Sequence, residues 1–198
     1  MKNKAFAIVT FSLGIVQILL ILVSWFITAT MPMSPVRSLL SSEGIRWFFG
    51  QFTYNLASPL LVWIILAGMT LGALKQSGLS KAFTPSARKE YRQRFALKLV
   101  LLELVVFAVV IGLLTLMPQA ILLSVTGHLF PSSFSQSVFP IVCFMGCVAS
   151  VTFGLLSGTF RSLTDIFNAL SVGISWLSPW LVVYVMAAQL YHSVLFVF

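Results

Sequence analysis

The chain has 198 residues, of which 59% are hydrophobic and 8% charged, where a soluble domain carries about 25% charged residues. A mean hydropathy of +1.04 and a formal net charge of +8 describe one membrane domain and exclude an ordinary water-soluble fold. Nucleic acid is excluded as the partner of that charge, because the cations flank apolar runs and form no soluble patch interleaved with aromatics.

Taken in order, Met1–Lys4 is short and basic, and the apolar run Ala5–Met31 follows. A cleaved secretory leader has an apolar core of only about 7–15 residues before a small-residue site. This run is longer, and Ala29 alone makes a poor cleavage site. It therefore predicts a retained first span, 5–31, with a cytoplasmic amino terminus. Pro32 and Pro35 stop that helix. Ser41 and Ser42 ahead of Glu43 then read as a helix start, with Ile45, Trp47, Phe48 and Phe49 on the apolar face. Trp47 and Tyr54 place this short amphipathic helix at the outer headgroup level.

The second span is 59–74, and Gly68 and Gly72 within it stand one helical turn apart. That spacing predicts close helix packing in lipid. The basic segment 75–98 comes next, with Lys75, Lys81, Arg88, Lys89, Arg92, Arg94 and Lys98 against the single acid Glu90. These seven set topology and meet anionic phospholipid headgroups. Thr84-Pro85 reads as an N-cap with proline at the first helical position. Glu90 and Arg94 then sit at i,i+4 in the favourable order, and the third span, 96–116, ends before Pro118.

Residues 119–138 carry no formal charge and are broken by Gly127, Pro131 and five serines. They read as an external loop, with Ala120–Val125 placed for a partial, re-entrant dip into the bilayer. The fourth span is 139–156. Arg161 and Asp165 bring the chain back inside, and Ser162 with Asp165 makes a capping-box pattern. Leu163, Ile166, Phe167, Leu170 and Ile174 follow at helical spacing, which predicts a second interfacial amphipathic helix. The last span is 179–198.

With the amino terminus inside, ten of the twelve Lys and Arg fall on the cytoplasmic side, and only Arg37 and Arg46 outside. The positive-inside rule thus predicts an all-α, polytopic integral membrane protein of the bacterial inner-membrane type. It has five spans, two interfacial helices and a periplasmic carboxyl terminus. Five short spans enclose little interior and expose Gly68 and Gly72, so a homodimer or a complex with another membrane protein is expected, with those glycines at the contact.

Residues able to do chemistry are few. Glu103 is the only acid inside a predicted span. An ionisable residue there points either to proton or cation coupling or, this near the inner end of its span, to a structural role. Cys143 and Cys147 are one turn apart on one helix. That geometry does not suit a disulfide, and two thiols alone make no metal site, so they read as buried cysteines. His128 and His192 fall near the outer face. No metal or cofactor site is expected, and no Ser-His-Asp set, phosphate loop or carboxylate pair for an enzyme can be assembled.

Several segments carry a family likeness. Ser38–Trp47, Ser58-Pro59-Leu60 opening a span and Ser77-Gly78-Leu79 closing it resemble the amino-terminal part of AbgT-family transporters, carriers of p-aminobenzoyl-glutamate. The run from Ser124 through His128 to Ser133 is similar to the same family. So are Gly154, Gly158-Thr-Phe-Arg-Ser-Leu-Thr-Asp165 and Met186-Ala-Ala-Gln189. The resemblance implies transport of a small anion. Family members also carry re-entrant hairpins with Ser/Asn/Asp-rich tips and a second repeat. This chain passes from Leu79 to the basic helix with no such hairpin, and Asn3, Asn55 and Asn168 lie outside any such tip. It reads as a shortened member, not a complete carrier on its own. The alternative is a non-transporting membrane scaffold or subunit.

Overall fold

The computed structural model describes residues 2–31, 33–82, 91–116 and 133–198. Among them are eight helices and no strand: α1 Lys2–Thr30, α2 Ser42–Gly50, α3 Phe52–Leu56, α4 Pro59–Gln76, α5 Leu79–Ala82, α6 Tyr91–Leu116, α7 Ser133–Ser157 and α8 Leu163–Val197. Five of these, α1, α4, α6, α7 and α8, are long and apolar enough to cross a membrane. The fold is therefore all-α and polytopic. Outside the described residues lie the Thr84-Pro85 cap, Arg88, Lys89, Glu90, Pro118, His128 and most of the expected external loop.

Two helices differ from the sequence expectation for the same reason. Residues 163–174 are not a separate interfacial helix; they are the first turns of α8, which runs on through Pro179. Likewise α7 begins at Ser133 and contains Pro140, ahead of the expected span start at Phe139. A proline removes one N–H, but in lipid every other backbone group still needs a partner within the helix, so continuing costs less than breaking. At 35 residues, α8 measures about 52 Å at 1.5 Å per residue. That exceeds the ~30 Å hydrocarbon layer.

The chain forms two compact units, Met1–Ile64 with Leu177–Phe198, and Ile65–Trp176, and passes between them within α4 and α8. In the first unit α1 and the later part of α8 run parallel. Phe6 meets Trp180 edge-on with ring centroids 5.1 Å apart, and further along Gln17 Nε2 donates to Ser193 Oγ at 3.0 Å. The start of α2 is capped as the sequence predicts, Ser41 Oγ accepting from the Gly44 N–H at 3.0 Å. Trp47 on α2 stacks on Phe196 at 4.5 Å. The α3–α4 corner is pinned by Tyr184, whose hydroxyl donates to the Leu56 carbonyl at 2.8 Å and lies 2.7 Å from Ser58 Oγ.

In the second unit α6 and α7 pack antiparallel, with Phe107 edge-on to Phe144 at 6.0 Å. Leu79, Ala82, Ala96, Val100, Ala149 and Phe153 form its buried core. The small helix α5 reaches that core because Gly78, at φ +78°, turns the chain sharply after α4. At the end of α7, Gly158 takes φ +80° and the Phe160 N–H returns to the Gly154 carbonyl at 2.9 Å. The Phe160 ring then covers Gly154 so closely that a Cβ there would stand 2.9 Å from the ring's Cγ. The first turn of α8 carries the expected reciprocal cap. Asp165 N–H donates to Ser162 Oγ at 3.2 Å, and Asp165 Oδ2 accepts from the N–H groups of Arg161 and Ser162 at 2.9 and 3.0 Å.

Candidate functional site

The most closely packed point of the second unit involves the glycines singled out by their spacing. Gly68 and Gly72 on α4 face Ala169, Gly173 and Ile174 on α8. A Cβ added at Gly173 would come within 2.6 Å of the Gly72 nitrogen and nearer still to the Gly68 carbonyl oxygen. Backbone meets backbone here with no side chain between. The approach is between two helices of one chain.

Beside that crossing Thr70 ties α4 to α7. Its hydroxyl is 2.8 Å from the Leu66 carbonyl, 3.1 Å from the Cys143 carbonyl and 3.4 Å from Cys147 Sγ. Its methyl lies over Gly146, where a Cβ would clash at 2.6 Å. Both cysteines are free thiols. They line an apolar hollow of about 320 Å³ with Leu66, Met69, Phe144 and Thr152. Thr152 Oγ1 donates to Glu103 Oε1 at 3.4 Å, while Glu103 Oε2 is buried without a hydrogen-bond partner. The one acid of the third span is thus held by a single long bond. No group of three or more His, Cys, Asp or Glu side chains gathers among the described residues.

The described members of the basic segment, Lys75, Lys81, Arg92, Arg94 and Lys98, all expose their side chains. Lys75 Nζ stands 4.5 Å above the Trp176 ring, a cation–π contact that turns an exposed charge along the helix surface. The Arg92 guanidinium packs against Gly158.

The first unit holds a buried amide cluster that the sequence reading passes over. Asn55 Nδ2 donates to Gln189 Oε1 at 3.4 Å, and both residues are about 5% exposed or less. One turn on, Ser193 is fully buried and accepts from Gln17. Gln17 Oε1 and Gln189 Nε2 have no partner. The signal was present as glutamine inside apolar runs, and Gln189 belongs to one of the segments that carry the family likeness. Above the cluster, a hollow of about 610 Å³ is lined by Arg37, Gln51, Tyr54, Asn55 and His192, among others.

The chain matches the model of the "AbgT putative transporter family" over residues 71–195, more than half its length. No curated protein sequence matches it. Its fold is similar to that of the YdaH transporter of Alcanivorax borkumensis, whose crystal structure is described as having an unusual topology. The TM-score is 0.78 at 15% identity, over 93% of this chain and 70% of that one. At that identity the likeness speaks for the fold alone. By the family match, this membrane-spanning chain belongs to the AbgT transporter family.

Proposed function

We propose that the chain serves the movement of a small organic anion of the aminobenzoyl-glutamate kind, and that it does so within an assembly and not alone. The observation that carries this reading is how little its spans enclose. In the most apolar stretch of each span the buried share runs from 0% in the first and 6% in the third to no more than 28% in the fourth. A carrier must surround its solute at mid-membrane and replace the water around it with oriented donors. No Lys or Arg occurs in the sequence between residues 5 and 31, 59 and 74, or 99 and 116, nor beyond Arg161. The buried hydroxyls of Ser24, Thr70 and Ser150 bond to carbonyls of their own helices. Glu103, if ionised, repels an anion.

A non-transporting scaffold or subunit is the second reading, and the same absence of span cations favours it. Co-purification separates the two, since a scaffold brings a membrane partner with it.

The direct test is the pure chain in liposomes with labelled aminobenzoyl-glutamate and an imposed sodium or proton gradient. No gradient-dependent uptake is expected. Uptake that disappears in Glu103→Gln would overturn the proposal and make Glu103 a coupling residue. In that case the unpartnered Oε2 beside Thr152 is where a proton or cation would be held.

A further inference from the structure

Arg37 and Arg46, the two cations that the charge distribution leaves apart from all the others, line one cleft of the first unit. The hollow of about 610 Å³ adjoins a second of about 580 Å³ that includes Glu43 and Arg46, and the two share Arg37, Trp47, Gln51 and Phe196 as walls. Arg37 is positioned by its backbone. Its N–H donates to the Val197 carbonyl at 3.0 Å, and its guanidinium lies 5.9 Å from the centre of the Phe196 ring. That ring is stacked on Trp47. Arg37 pairs with Glu43 at 3.8 Å, both side chains well exposed. Exposed pairs of this kind hold weakly, so the guanidinium is available to a stronger acceptor. Two cationic side chains, Arg37 and Arg46, stand there against one acidic side chain, Glu43.

We propose that this cleft binds the phosphate headgroup of an anionic phospholipid in the leaflet at the carboxyl-terminal end of α8. A phosphate offers the oxygen geometry that a guanidinium engages by two parallel bonds, and a basic pocket at headgroup depth is the usual form of such a site. A lipid fits better than a soluble anion because the rim is apolar. Ile45, Phe49, Leu195 and Phe198 are exposed next to the cations, and Trp47 and Tyr54 mark the headgroup level. An acyl chain covers those side chains while the phosphate meets Arg37 and Arg46.

Hydrogen exchange of the whole chain in nanodiscs tests this locally, without interference from the separate basic segment. Adding phosphatidylglycerol to phosphatidylcholine nanodiscs should slow amide exchange across residues 35–55 about tenfold. The slowing should vanish in Arg37→Gln/Arg46→Gln and survive in part in Arg37→Lys. It should persist unchanged in Lys75→Gln/Lys81→Gln. Arg46→Gln alone, which alters one exposed side chain, serves if the double variant does not fold and should lose most of the effect. Equal exchange with and without phosphatidylglycerol, or slowing that persists in the Arg→Gln variants, would overturn the proposal. Equal slowing by soluble glycerol phosphate in pure phosphatidylcholine nanodiscs would also overturn it, by making the ligand a free phosphate ester.

Discussion

Gly173 is where single-atom changes matter most. Its Cα hydrogen stands where any side chain would enter the α4 backbone. Gly72→Leu or Gly173→Leu should destabilise the chain by about 1–3 kcal/mol through overpacking. The measurement is thermal unfolding in mild detergent, with Gly50→Ala as the control because nothing lies within 4 Å of its Cβ position. An unchanged midpoint in both leucine variants would sink this account of the crossing. Gly68 and Gly72 were legible from their spacing as a close-packing face. Their partner was not, although Ala169 and Gly173 repeat the same small-residue spacing. The amphipathic pattern of residues 163–174 pointed that segment at the membrane surface instead. The exposed glycines were expected to serve association between chains, and the structure corrects that expectation, since Gly68 and Gly72 pack against α8 of the same chain. Glu103 shows the opposite limit. Its oddity was plain in the sequence, but the Thr152 contact depends on the register between α6 and α7, which no local pattern records.

At the scale of elements, caps and periodicity read well and proline did not. Ser41 and the Ser162–Asp165 box form the hydrogen bonds their spacing predicts. Removing the Ser41 hydroxyl in Ser41→Ala should weaken α2 by about 1 kcal/mol. Amide exchange over Ser42–Gly50 should then run roughly fivefold faster. Unaltered exchange would mean that Trp47 stacking, not the cap, holds the helix start. The expected spans began at Phe139 and Pro179, beside prolines of the kind that in water usually end a helix. Inside lipid the rule weakens, and both helices run through. The basic segment gives a prediction of its own kind. Neutralising Arg88, Lys89, Arg92 and Arg94 together should yield chains in both orientations, read by protease accessibility in vesicles, because Lys/Arg bias sets the direction of insertion. A single orientation in that variant would remove this segment as the determinant.

For the whole molecule, composition was enough to reach the class, and the order of diffuse segments was enough to reach the family. The site was not legible to the same degree. A small-anion carrier is recognised by mid-membrane donors, and the polar side chains of these spans mostly bond to their own helices or to one another. Poor enclosure also predicts association. The chain in nanodiscs should run as more than one copy or with a partner, and a monodisperse monomer in both nanodiscs and mild detergent would count against the proposed assembly. Every one of these inferences about sides and partners depends on the direction in which the five spans are threaded. In the first unit α1 and the later part of α8 run parallel, as an odd number of crossings requires. The measurement that tests this most directly is a pair of topology reporters, one inserted beside Arg92 and one fused after Phe198. The account predicts a cytoplasmic signal from the first and a periplasmic signal from the second. Both reporters on one side, or the two signals exchanged, would contradict it.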